Sequence, residues 1–200
     1  IDNFDNLKLA SDSVLPHVRT DVVQYLKQGR GLIVNYLQMD RFFKPSKDWY
    51  AKTTVGLVEN MFGAVGGEIL YRPFHKNYAI GAELWQVQQR SYDQQFDFLP
   101  YKTLTGHINF YYKEPRSQVL LSLKGGKYLA QDSGFTFDVS RRFKSGLKMG
   151  IFFSLTDISE YEFGEGSFDK GFYFFVPIES FFNKYQKGAT GLGLKPLTRD

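Results

Sequence analysis

TLTGHINFYY, residues 103–112, decides the fold class. Leu104, Gly106, Ile108, Phe110 and Tyr112 occupy alternate positions, with Thr103, Thr105, His107, Asn109 and Tyr111 between them. Successive side chains of an extended chain point to opposite faces, so the stretch is a strand between one apolar and one polar environment. The period of two recurs on either side. SQVLLSLKGG (117–126) sets Val119, Leu121 and Leu123 against Gln118, Ser122 and Lys124. GFTFDVSRRF (134–143) sets Phe135, Phe137 and Val139 against Thr136, Asp138, Ser140 and Arg142, and GLKMGIFFSLT (146–156) repeats the pattern.

Further strands are expected at 32–43, 50–60, 65–72, 77–90 and 169–180. Short polar joints such as RPFHKN (72–77), KEPRS (113–117) and RRFKSG (141–146) separate several of them, and no helical pattern intervenes. Successive strands should therefore be antiparallel neighbours. Two connections read as longer, at 90–102 and 156–170, and GAVGG (63–67) reads as a tight turn with a bulge. One stretch breaks the pattern: in SVLPHVRTDVVQYLKQG (13–29) the spacing of Leu15, Val18, Val22 and Leu26 predicts a short helix. The expected organisation is an N-terminal segment with that helix (1–30), strands over 31–182 and a C-terminal tail (183–200). IDNFDNLKLA at the start has no basic, apolar and cleavage regions of a signal peptide, and the chain reads as a piece of something longer.

Composition agrees with an all-β chain. Aromatics make up 18% of the residues, with 20 Phe and 13 Tyr, and there are 19 Gly. Phe and Tyr favour pleated surfaces, and glycine suits tight sheet geometry. Lys and Arg are spread evenly at a net charge of +4, so no basic stripe marks a nucleic-acid partner. Cys is absent, which excludes disulfides and thiolate chemistry. No stretch approaches the roughly 18 apolar residues of a membrane helix, which leaves strands as the only way to cross a bilayer.

Two architectures fit the alternation. A soluble sandwich or lipocalin-like barrel turns the apolar face inward; a transmembrane barrel turns it to lipid and keeps a polar lumen. Three features favour lipid: strands of about ten residues against a soluble mode of about 5–6, polar faces that mix charge with small residues, and aromatics near strand ends. Those aromatics are Trp49, Tyr50, Tyr92, Tyr111, Tyr112, Phe143, Phe181 and Phe182, resembling interfacial girdles. The expected fold is an all-β, antiparallel up-and-down transmembrane barrel of nine or ten strands, alone or within a larger barrel. The aromatic run after EFGEGSFDKG (162–171) fits it, with Phe172, Phe174, Val176 and Ile178 facing lipid and Tyr173 and Phe175 facing the lumen.

Several long stretches together resemble the YjbH/GfcD family of bacterial outer-membrane β-barrel proteins. They are LPHVRTDVVQYL (15–26), VENMFGAVGGEILYRPF (58–74), YAIGAELWQVQQRSYDQQFDF (78–98), TGHINFYY (105–112), SRRFKSGLKMGIFFSLTDIS (140–159) and EFGEGSFDKGF (162–172). The resemblance implies an outer-membrane location and a role in export or assembly of an exopolysaccharide or capsule. It implies lipid or lipopolysaccharide, polysaccharide and other capsule-secretion proteins as partners, and no catalytic residues or cofactor.

For a sugar polymer, a polar lumen face offers aromatic rings to stack on pyranoses and polar groups to bond hydroxyls. Candidate contacts are Glu83, Trp85, His107, Asn109, Tyr111, Asp138 and Arg142, with Glu162, Glu165, Asp169 and Lys170 in the glycine-rich loop. The loop carboxylates could bind Ca²⁺ or form a glycosidase pair, but their spacing fixes no carboxylate separation, and a solvated loop is expected. Three His and no Cys, with no ligand spacing, point to no metal site. Two other functions remain open: an outer-membrane lipid or glycan hydrolase using His107 with Ser122 or Ser154, and a soluble β-barrel binding a glycan or lipid.

Overall fold

The computed structural model of the chain describes residues 18–28, 33–159, 168–181 and 188–194. It holds one helix, α1 (Val18–Gln28), and ten strands: β1 (Leu37–Ser46), β2 (Trp49–Leu57), β3 (Phe62–Tyr71), β4 (Tyr78–Arg90), β5 (Phe98–Lys113), β6 (Val119–Lys127), β7 (Ser133–Arg142), β8 (Lys148–Thr156), β9 (Phe168–Pro177) and β10 (Ala189–Leu194). The strands form a single antiparallel meander in sequence order. The all-β expectation holds, and α1 falls where the helical spacing put it. Among the described residues the sheet is not closed into a barrel, because β1 and β10 each pair on one side only.

The register sorts side chains into two faces. One outward row runs Trp49, Tyr71, Ile80, Phe110, Leu123, Phe137, Phe153 across seven strands. Behind it runs Lys52, Glu68, Glu83, His107. Burial is inverted relative to a soluble sheet. Ile108 is 68% exposed and Leu84 58%, whereas Thr103, Thr105, His107 and Asn109 are buried. Among the described residues no second layer covers most of this polar face, so the sheet curls around it.

Several boundaries differ from the sequence reading. GAVGG lies inside β3 rather than in a turn. Its glycines serve close approach: a Cβ on Gly66 would stand 2.5 Å from Trp85 Cε3 of the neighbouring strand, and only glycine avoids that clash. The long connection at 90–102 shrinks to 91–97, since β5 begins at Phe98 and runs for 16 residues. The expected tail contains β10, and Ile178 starts a 3₁₀ turn (Ile178–Phe181) instead of continuing β9. The faces of Phe172, Phe174, Tyr173 and Phe175 are as expected, because Tyr173 and Phe175 pair with Gly150 and Lys148 of the polar face.

The packed core sits at one end of the polar face. Tyr25 of α1 meets Met61, Phe62 and Val87, with Trp85, Tyr92 and Tyr101 around them. Burying Phe62 contributes about 1.5–3 kcal/mol. Asp21 and Lys27, in the first and last turns, complement the helix dipole. One member of the stripe its spacing suggested is not buried. Leu26 is exposed, while Val23 and Tyr25 are buried. Tyr25 wins that place because its ring stacks edge-on against Tyr92 at 5.0 Å and its hydroxyl donates to the Arg90 carbonyl at 2.6 Å. Leu15 and the side chains of Val18 and Val22 lie outside what the structure describes.

Candidate functional site

All seven lumen candidates fall on the polar face. Glu83 and Trp85 come from β4, His107, Asn109 and Tyr111 from β5, and Asp138 and Arg142 from β7. Alternation guarantees that much; register decides which of them meet.

Glu83 is the centre of one group. Its Oε1 lies 2.6 Å from Lys124 Nζ and 2.9 Å from His107 Nδ1. The histidine contact is close but not aligned as a hydrogen bond, and among the described residues Nε2 has no hydrogen-bond partner. The His107 ring instead rests edge-on against Tyr128 at 4.7 Å. Next to this group Lys52 binds Glu68 at 2.8 Å and stands 5.6 Å from the Trp85 ring. The result is a transverse band of charged and polar side chains across β2–β6, two carboxylates flanked by lysines, with Trp85 laid over Gly66 beside it. Asn109 stands opposite Lys124.

A second group follows from the row Tyr111, Ser122, Asp138, Phe152. Asp138 accepts a hydrogen bond from the Tyr173 hydroxyl at 2.8 Å. Tyr173 in turn lies over Gly150, Phe152 over Gly171 and Phe175 over Gly191. Each ring fills the space a glycine leaves on the neighbouring strand, so three rings pack along the polar wall. Lys148 Nζ stands 5.2 Å from the Tyr173 ring. Arg142 is not part of this group; it is exposed at the strand end, opposite Lys148.

Sequence reading missed Lys52, Glu68, Lys124, Lys148, Phe152, Tyr173 and Phe175 as members of these groups. Their polar-face parity was visible for most of them, but a ring seated over a glycine two strands' worth of sequence away is not. Glu162 and Glu165 lie outside the described residues. Asp169 and Lys170 belong to β9 rather than to a loop, and they point to opposite faces. Asp169 pairs with Ser154 on the polar side, while Lys170 pairs with Phe153 on the apolar side and lies 4.9 Å from the Phe168 ring.

His107 does not meet either proposed serine. Ser122 stands opposite Tyr111, four residues along β5, and Ser154 lies on β8 with its hydroxyl 2.7 Å from that of Thr136. Among the described residues no cluster of metal-ligating side chains forms, and no helix is long and apolar enough to cross a membrane.

Fold and faces define a class: an antiparallel meander turned inside out, with apolar side chains exposed and charge held within the curl. Comparison with known proteins narrows this. A family model described as exopolysaccharide biosynthesis protein YbjH matches residues 1–200, and the chain belongs to this YjbH family. It is 37% identical over 203 residues to an uncharacterized lipoprotein, YjbH of Escherichia coli (strain K12); the match covers 100% of this chain and 29% of that protein. The chain thus spans less than a third of its relative's length. No solved structure matches.

Proposed function

We propose that this stretch forms part of the wall of an outer-membrane β-barrel that guides a surface polysaccharide during export, without chemistry of its own. One observation carries the reading. The outward face exposes Val65, Leu84, Ile108, Leu123, Ile151 and Phe153 at mid-strand across β3–β6 and β8, the kind of apolar surface that marks a lipid or partner contact, while the charged face is curled inward. Lipid outside and water inside satisfy both. At the end of the sheet where β1 turns into β2, outward aromatics gather as an interfacial girdle would. Trp49 packs on Tyr71 at 5.0 Å, and Tyr78 stands opposite Tyr112.

Family membership supports the polysaccharide, and the relative's lipoprotein name supports a membrane setting. The separation of His107 from Ser122 and Ser154 supports a non-catalytic role. Rings and charges on the polar face, Trp85, Tyr111 and Tyr173 among them, offer weak successive contacts. A moving polymer needs such contacts if it is to leave again.

The test places charge on each face. Ile151→Arg or Phe137→Arg should cost about 2–4 kcal/mol of insertion stability near the bilayer midplane. Ser122→Arg, facing Asp138, should insert normally. Folded protein in outer-membrane fractions and polysaccharide on the cell surface are measured together. Equal loss from both faces would mean that the apolar face does not meet lipid.

A further inference from the structure

Where β1 turns into β2 and β3 into β4, the two connections enclose a cleft of about 580 Å³ that none of the groups above uses. Lys44, Lys47, Arg72 and Lys76 line it, together with Tyr50 and Phe74. A single carboxylate reaches the lining, and it is engaged in holding the loop. Asp48 Oδ1 accepts from the Phe74 amide at 3.3 Å, and the Asp48 carbonyl accepts from the Arg72 amide at 2.8 Å. None of the four cations forms an ion pair among the described residues. Four cations against one carboxylate leave the concavity net positive, and it focuses a field that draws in an anion.

The rings say which kind of anion. Phe74 is 75% exposed, yet it is braced: His75, held at φ +68°, sets its ring against it at 4.3 Å. Tyr50 is also exposed, with Lys44 Nζ 5.7 Å from its ring. Two presented aromatic faces beside cations suit a pyranose that carries a charge. Position excludes a lipid phosphate as the first choice. Tyr50 pairs with Leu70 on the polar face, so the cleft opens at the mouth of that face, whereas headgroups would lie against the outward Trp49 and Tyr71.

We propose that this cleft binds a carboxylate- or phosphate-bearing sugar of the exported polymer and selects acidic over neutral glycans at the rim. The proposal rests on the polysaccharide reading above, and its test separates the two. The protein with its complete natural chain, in zwitterionic detergent, is titrated with tetragalacturonate, maltotetraose and inorganic phosphate. Tetragalacturonate should bind at least about tenfold more tightly than maltotetraose, which corresponds to about 1.4 kcal/mol, and its affinity should fall as salt rises. The combined Lys44→Gln, Lys47→Gln, Arg72→Gln and Lys76→Gln variant should lose about tenfold, and the Lys47→Arg, Lys76→Arg variant should keep wild-type affinity. If the fourfold variant does not reach the membrane, Lys47→Gln with Lys76→Gln should still lose several-fold. Equal binding of maltotetraose, or unchanged affinity in the Gln variants, overturns the proposal. Displacement by phosphate at the same concentration overturns its saccharide part and leaves a simple anion site. Cells lacking the gene report separately on the export reading: unchanged surface polysaccharide would defeat that reading whatever the titrations give.

Discussion

The two ends of the sheet treat positive charge in opposite ways. At the helix-covered end Arg90 is fully buried, and its guanidinium donates to five backbone carbonyls: Glu59 and Asn60 at 2.9 and 3.3 Å, and Val34, Gln94 and Gln95 at 2.8, 2.7 and 2.9 Å. It forms no ion pair among the described residues; carbonyl dipoles hold the charge, with the Asp93 carboxylate nearby. One side chain thereby ties three separate segments to the end of β4, and Gln94 closes the knot by donating from Nε2 to the Tyr25 carbonyl at 3.0 Å. At the other end Lys44, Lys47, Arg72 and Lys76 face water around an open cleft. Burying a cation requires its donors to be satisfied internally; both terminal nitrogens are engaged and, among the described residues, Nε alone has no hydrogen-bond partner, so Arg90 is fixed in one structural use. Cations left in solvent keep their donors for something else.

The largest effect should therefore come from Arg90→Leu. It removes five hydrogen bonds to partly or fully buried carbonyls at once, each worth about 0.5–1.5 kcal/mol, and the expected loss is about 3–5 kcal/mol. Arg72→Leu, the same substitution at the open end, should change stability by less than about 0.5 kcal/mol. Urea titration of folded protein in micelles compares them. Similar losses from both would erase the distinction between the ends.

A smaller effect tests how α1 shares in the closed end. Tyr25→Phe removes one buried hydrogen bond to the Arg90 carbonyl and leaves the ring packed on Tyr92. It should cost about 0.5–1.5 kcal/mol, with Gln89 to Asp21 (2.6 Å) still fastening the helix. Hydrogen exchange should show the loss around α1 and the 91–97 loop and not at the 72–77 loop. A uniform loss would mean that the helix stabilises the whole sheet rather than one end of it.

The closed end was also the less legible one. Alternation in 103–112, 134–143 and 146–156 is a local property, and it carried the strand type, the antiparallel order and the polar-face membership of His107 and Asp138. Arg90 gave no local sign of burial. It ends a strand whose pattern is broken by a register shift between Gln88 and Arg90, and its partners lie up to 56 residues away. Helical spacing found α1 but misplaced Leu26, because Tyr25 outcompetes it by adding a hydrogen bond to its packing. The open end was nearer the surface of the sequence: RPFHKN was read as a polar joint, and only the meeting of Lys44 and Lys47 with it required the fold.

The smallest and sharpest contrast is in pH. Glu59, in the turn at the closed end, is partly buried, and burial pushes its carboxyl pKa above the usual carboxylate range. Glu114, in a turn at the open end, accepts from the Ser117 hydroxyl at 2.6 Å, from the Ser117 amide and from the Arg116 amide at 3.0 Å, which lowers its pKa. The signs then oppose. A raised pKa contributes stability below the unfolded carboxyl's pKa of about 4.3, and this is lost as pH rises through the folded value. A lowered pKa contributes stability above that point, lost as pH falls through the folded value. Glu59→Gln should thus stabilise at pH 7 and lose its advantage towards pH 4. Glu114→Gln should destabilise at pH 7, with the difference fading below about pH 4 as the native carboxylate protonates. Unfolding midpoints of both variants from pH 3 to 8 give the two slopes. If Glu114→Gln matched wild type across the range, solvent would be satisfying that carboxylate as well as the turn does. If Glu59→Gln destabilised at pH 7, the closed end would be holding a charge that its burial argues against.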